Sequence, residues 1–101
     1  MRLLVTGGRD LQDFRAVCRA LDTLHAQTPI TLLIHGAARG ADSLAAAWAS
    51  FRHVPAHAYP AEWDKYGKAA GPIRNQQMLT EGRPNAYLAF PGGRGTQDMV
   101  R

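Results

Sequence analysis

A chain of 101 residues with 46% hydrophobic content, one cysteine and a formal net charge of +4 reads as a single domain, residues 1–101, apolar enough for a core and unlike a disordered chain. One cysteine excludes an intrachain disulfide and a cysteine-based zinc centre. No apolar run approaches the roughly 20 residues of a membrane helix, so a cytoplasmic protein with no membrane partner, metal or cofactor is expected. The positive charge favours anionic partners only weakly, and the placement of the arginines carries more information.

In chain order, Leu3-Leu4-Val5 is a buried-strand signature, followed by the loop Thr6 to Asp10. Phe14, Val17, Cys18, Leu21 and Leu24 recur at steps of three and four, the pattern of an amphipathic helix that Asp10 can cap. Residues 30–34 form the second strand, and His35 to Gly40 the loop after it. A second helix from near Ala41 has Leu44, Ala45, Trp48 and Phe51 on its inner face. A weak third strand (56–59) leads into a long loop, 60–71, holding Trp63 and Tyr66. Gly71-Pro72 opens a third helix, since proline at the first helical position loses no hydrogen bond. Residues 86–90 are the fourth strand, Pro91 to Thr96 its loop, and a short helix starts at Thr96. Four strand–helix alternations predict a parallel four-stranded sheet, order 3-2-1-4, with helices on both faces: a Rossmann-like three-layer α/β/α fold.

Such folds bind ligands outside the carboxyl ends of their strands. Each loop on that rim brings an arginine, namely Arg9, Arg39, Arg94, and Arg74 just inside the third helix. Three of these loops are glycine-rich, which allows close backbone approach, and helix N-termini point at the same rim. Gly7-Gly8 or Gly92-Gly93 alone could be a tight turn, Arg39 alone a surface cation and Arg74 alone a partner for an acid on its helix, but together they describe a phosphate or carboxylate site. Trp63 and Tyr66 could stack on a base or serve as a lid or subunit contact. His35 could touch a ligand or cap a strand end. His25 and His53 fall late in helices and read as structural. The sequence has no Walker-type G-x-x-x-x-G-K-[ST] loop, no G-x-G-x-x-G after the first strand, no G-x-S-x-G elbow and no metal-ligand histidine spacing.

The segments Gly7-Gly8-Arg9-Asp10, His35 to Asp42, Ala61 to Gly67, Ala70 to Met78 and Phe90 to Thr96, in register over almost the whole chain, resemble the YspA-like, cpYpsA-related group of the SLOG superfamily. That resemblance implies a Rossmann-like fold and a nucleotide-related function. Arg74-Asn75-Gln76-Gln77-Met78 and Pro91-Gly92-Gly93-Arg94-Gly95-Thr96 are also similar to motifs of the LOG-type phosphoribohydrolases. The glutamate of that family's reaction falls here on Met99, with Asp98 about a hundred degrees round the helix. Gly36-Ala37-Ala38-Arg39-Gly40-Ala41-Asp42 is similar to a stretch of the DNA-processing protein DprA. The group usually continues to a further strand beyond the point where this chain ends, so truncation and a naturally minimal domain both fit.

The leading expectation is binding of a nucleotide-like small molecule, an ADP-ribose-like ligand or a nucleoside monophosphate, by a sensor or sequestering domain. Its ligand set would be Gly7, Gly8, Arg9, His35, Gly36, Arg39, Asp42, Trp63, Arg74, Asn75 and the loop Pro91, Gly92, Gly93, Arg94, Gly95, Thr96. The alternatives are a phosphoribohydrolase, with Arg74 and Asp98 as catalytic candidates and little base release expected because of Met99, and a single-stranded DNA binder. A core this small also predicts a homo-oligomer, a dimer in the simplest case.

Overall fold

The computed structural model describes residues 1–91. Strands β1 (Arg2–Thr6), β2 (Leu32–His35), β3 (Ala56–Ala58) and β4 (Ala86–Ala89) form one sheet of order β3-β2-β1-β4. All its pairs are parallel. Helices α1 (Phe14–Gln27) and α2 (Ala41–Phe51) cover one face, and α4 (Ala70–Thr80) the other. A short helix α3 (Trp63–Tyr66) and a 3-10 turn (Gly67–Ala69) precede α4. The fold is the Rossmann-like α/β/α architecture with the expected strand order.

The alternation of side chains along a strand explains the layering. Leu3, Val5 and Leu33 face Val17, Leu21, Ala45 and Trp48 of α1 and α2. Leu4, Leu32 and Ile34 face Met78 of α4. The continuous apolar runs of β1 and β2 are therefore those of strands buried on both faces. The alanines of α2 let α1 and α2 lie close, and Asp22 ties the two helices by accepting from Trp48 Nε1 (2.9 Å) and Arg52 (3.0 Å).

Several boundaries differ from those read in the sequence. Asp13, not Asp10, caps α1, its carboxylate accepting from Ala16 N–H at 3.0 Å. The Gly8 carbonyl takes the Leu11 N–H, which keeps residues 9–12 in the loop. The second strand starts at Leu32 because His25 Nδ1 accepts the Ile30 N–H at 2.9 Å. That bond and an edge contact with the Trp48 ring, centroids 5.6 Å apart, give His25 its structural role. His53 lies just past α2, in a turn at φ 58°. The segment 60–71 is partly helical, and α4 begins at Ala70, before Pro72. Pro72 is still within the first turn, where N–H groups lack intrahelical acceptors. Phe14 is 41% exposed at the first residue of its helix. Phe51 is 79% exposed at the last residue of α2 and on the flank of the buried stripe of Ala41, Ala45 and Trp48. The expected last helix, from Thr96, lies outside the described residues.

Candidate functional site

The path β1 to β2 to β3 runs outward on one side of β1, and β4 then returns to its other side. The carboxyl ends of β1 and β4 therefore flank the point where strand order reverses, where a crevice opens in folds of this kind. A cavity of about 720 Å³ lies there. The β1 loop contributes Thr6 to Leu11, the β2–α2 loop Ala38 and Arg39, α2 contributes Asp42, α4 contributes Arg74, Asn75 and Met78, and Pro91 closes the β4 side. A second cavity of about 570 Å³ shares Arg9, Ala38, Arg39 and Arg74, and extends toward Gly36, Pro60, Ala61 and Trp63.

Three of the four rim arginines are thus brought together, each from a different segment. Arg9 and Arg39 are exposed, and Arg74 is half-buried. Arg74 is held at both ends of its guanidinium: Nε donates to Asn75 Oδ1 at 2.8 Å and Nη1 to the Gly36 carbonyl. Burial lowers its pKa, Asp42 opposes that shift, and Arg9 adds to it, yet a guanidinium stays charged in a protein. A Cβ at Gly36 would overlap the Arg74 guanidinium and displace it from this position. The Arg9 guanidinium lies 5.8 Å from the ring centre of Trp63, within cation–π range.

Asp42, 6% exposed, is the buried carboxylate of the site. Its Oδ2 accepts from the N–H of Gly36 (2.9 Å) and Ala38 (3.3 Å), which folds the β2–α2 loop over the start of α2. Burial raises its pKa, opposed by those two bonds, by His35 and by Arg74. The neighbouring Gly8 carbonyl accepts the Ala41 N–H at 3.1 Å, and the Pro91 carbonyl accepts the Gly8 N–H at 3.2 Å. Several backbone donors expected to face a ligand are therefore occupied within the protein, and the positive character of the described rim comes from arginine side chains.

His35 lies beneath the rim and lines neither cavity. It is 8% exposed, its Nδ1 accepts the Ala37 N–H at 3.0 Å, and burial lowers its pKa, opposed by Asp42. It caps the strand end, one of the two roles read for it. Trp63 lines the second cavity, whereas Tyr66 lines neither and pairs with Lys65, 5.0 Å from its ring centre. Gly92, Gly93, Arg94, Gly95, Thr96 and Asp98 lie outside the described residues. The sequence reading missed Thr6, Asp10, Leu11, Ala38 and Met78 as lining residues of the first cavity. Met78 is one helical turn from Arg74, a spacing that could have revealed it. Among the described residues no cluster of histidine, cysteine or carboxylate side chains could hold a metal ion, and no helix is long and apolar enough to cross a membrane.

The dual role of Asp42 gives a test. Asp42→Ala should cost about 2–4 kcal/mol in urea unfolding, because the buried Gly36 N–H and the part-buried Ala38 N–H lose their acceptor. Asp42→Asn, which keeps an oxygen there, should recover most of that. With the folded pKa raised, the carboxyl's favourable contribution is complete below its unfolded value and is lost as pH rises through the folded one. The stability of wild type relative to Asp42→Asn should therefore fall as pH rises above the ordinary aspartate range. Equal curves for the two proteins would refute the burial effect.

A family model described as YspA, cpYpsA-related SLOG family matches residues 1–66. The Gene 61 protein of Mycobacterium phage D29 is 39% identical over 109 residues, covering 99% of this chain and 86% of that protein. No solved structure matches the chain. The first two strand-end loops and Trp63 fall inside the family match, and the similarity to the phage protein extends over α4 as well. The chain belongs to the YspA, cpYpsA-related SLOG family.

Proposed function

We propose that the protein binds a phosphate-bearing nucleotide or nucleotide derivative at the carboxyl ends of its strands, as a sensor or sequestering domain. The observation that carries this reading is the convergence of Arg9, Arg39 and Arg74 on one cavity at the topological switch point. Guanidinium groups match phosphate oxygens in charge and in donor geometry. The half-exposed Trp63 beside them offers a face for a base. Membership of the SLOG family points to the same nucleotide-related chemistry.

Native mass spectrometry of the purified protein and calorimetric titration with mononucleotides test the reading. A compact site that neutralises one or two phosphates loses affinity gently with salt, whereas a nucleic-acid groove loses it steeply. The expected log–log slope for an oligonucleotide of about a dozen bases has a magnitude below about 2, with full competition by excess mononucleotide for the same arginines. A steep slope without competition would replace this reading with single-strand DNA binding.

A further inference from the structure

Resting on that nucleotide reading, we infer that residues 60–69 are a strap over the second cavity, latched by Arg9 on Trp63 and released when a phosphate takes Arg9. The strap consists of Pro60 to Glu62, α3 and the 3-10 turn. Pro60, Ala61 and Trp63 line the cavity that it crosses. Neither α3 nor the turn has a buried residue. Just before the strap, the Tyr59 N–H donates to the His35 carbonyl at 2.9 Å. From there to the start of α4, the described hydrogen bonds stay local: the N–H groups of Lys65 and Tyr66 donate to the Glu62 carbonyl, and that of Gly67 to the Trp63 carbonyl. Gly67, at φ 57° with open space around it, is a hinge between the two helical turns. A segment with so little burial and no described hydrogen bond to the sheet opens at low cost.

Trp63 is the fastening. Its ring edge reaches α4, near enough to Gly71 that a Cβ there would touch it, and the Arg9 guanidinium lies 5.8 Å from its ring centre. Arg9 belongs to the loop after β1, so this contact ties the strap to the sheet. An exposed cation–π contact is weaker than a charge-assisted hydrogen bond from guanidinium to phosphate. Arg9 also lines both cavities together with Arg74, and the two like charges repel. A phosphate between them replaces that repulsion with a shared attraction and draws Arg9 off the ring. The strap then loses its tie to the β1 loop, and the ring face that Arg9 covered becomes available to a base. Occupancy of the site is thereby read out as an open strap, as a sensor requires.

Lys65 and Lys68 are the only lysines of the chain, so a lysine-specific protease cuts in the strap and nowhere else. Inorganic pyrophosphate, which has no base to stack, should speed this cleavage about two- to fivefold, the weight of one exposed cation–π contact. Binding that merely stabilised the fold would slow it. Arg9→Ala should be cut at the faster rate without pyrophosphate and gain nothing when it is added. Arg9 is exposed, so its replacement does not endanger the fold. Calorimetry on the same samples measures binding separately. Arg9→Ala cut at the wild-type rate without pyrophosphate would overturn the latch and leave the nucleotide reading standing. So would pyrophosphate that binds wild type and leaves cleavage unchanged or slower. Failure of pyrophosphate to bind would overturn the release by phosphate, and failure of mononucleotides as well would overturn the nucleotide reading with it.

Discussion

Arg74→Ala should lower nucleotide affinity by about two orders of magnitude, the largest loss expected from any single rim residue. Arg74 lines both cavities, and its guanidinium is already oriented by Asn75 Oδ1 and the Gly36 carbonyl. Little side-chain freedom remains to be lost when it meets a phosphate. Arg39 is exposed and has no such anchors among the described hydrogen bonds, so Arg39→Ala should cost only about tenfold. Arg74→Lys should not restore binding, because an ammonium cannot hold the carbonyl and a phosphate with one planar fork. Calorimetry on the three variants, with unfolding curves to confirm that each is folded, measures the order. An Arg74→Ala protein that binds as tightly as Arg39→Ala would show that the anchoring does not matter.

Gly40→Ala should be the most damaging small substitution in the described rim, costing about 3 kcal/mol or more and lowering Tm by about 15 °C. Gly40 has φ 78° and caps α2 without a side chain. A Cβ there would run into the Gly8 and Arg9 carbonyls, so the substitution combines backbone strain with a steric conflict. Gly67 separates the two effects. It has φ 57° with open space around it, and Gly67→Ala should cost only the strain, about 1–3 kcal/mol, and less than Gly40→Ala. Thermal melts of both variants check the difference, and equal losses would mean that the contact between the β1 and β2 loops is looser than described.

Much of this arrangement was legible in the sequence because parallel sheets obey strict rules. Four alternations of strand and helix sufficed for a parallel sheet with helices on both faces, and the strand-end rule sufficed to gather Arg9, Arg39 and Arg74. What was not legible depended on single hydrogen bonds. The acceptance of the Ile30 N–H by His25 shortened β2, and the bond from Leu11 to Gly8 moved the cap of α1 from Asp10 to Asp13. The segment 60–71 read as a loop because its glycines and lysines mask two short helical turns. Phe14 and Phe51 fit or nearly fit the helical period, and periodicity does not reveal where a helix outruns the core beneath it. The role of Asp42 could be suspected from its loop, but not that its carboxylate would occupy the loop's own N–H groups.

That occupation bears on how such a site changes through evolution. Where main-chain amides grip a ligand, the grip belongs to the fold and survives nearly every substitution. Here the N–H groups of Gly36 and Ala38 are turned inward to Asp42, and that of Ala41 to Gly8. To a ligand of the proposed kind, this part of the rim offers side chains rather than those amides. A lineage can keep the buried Asp42 knot as a fixed frame and exchange the residues at positions 9, 39 and 63 around it. The specificity of the proposed site can then change while that frame stays fixed.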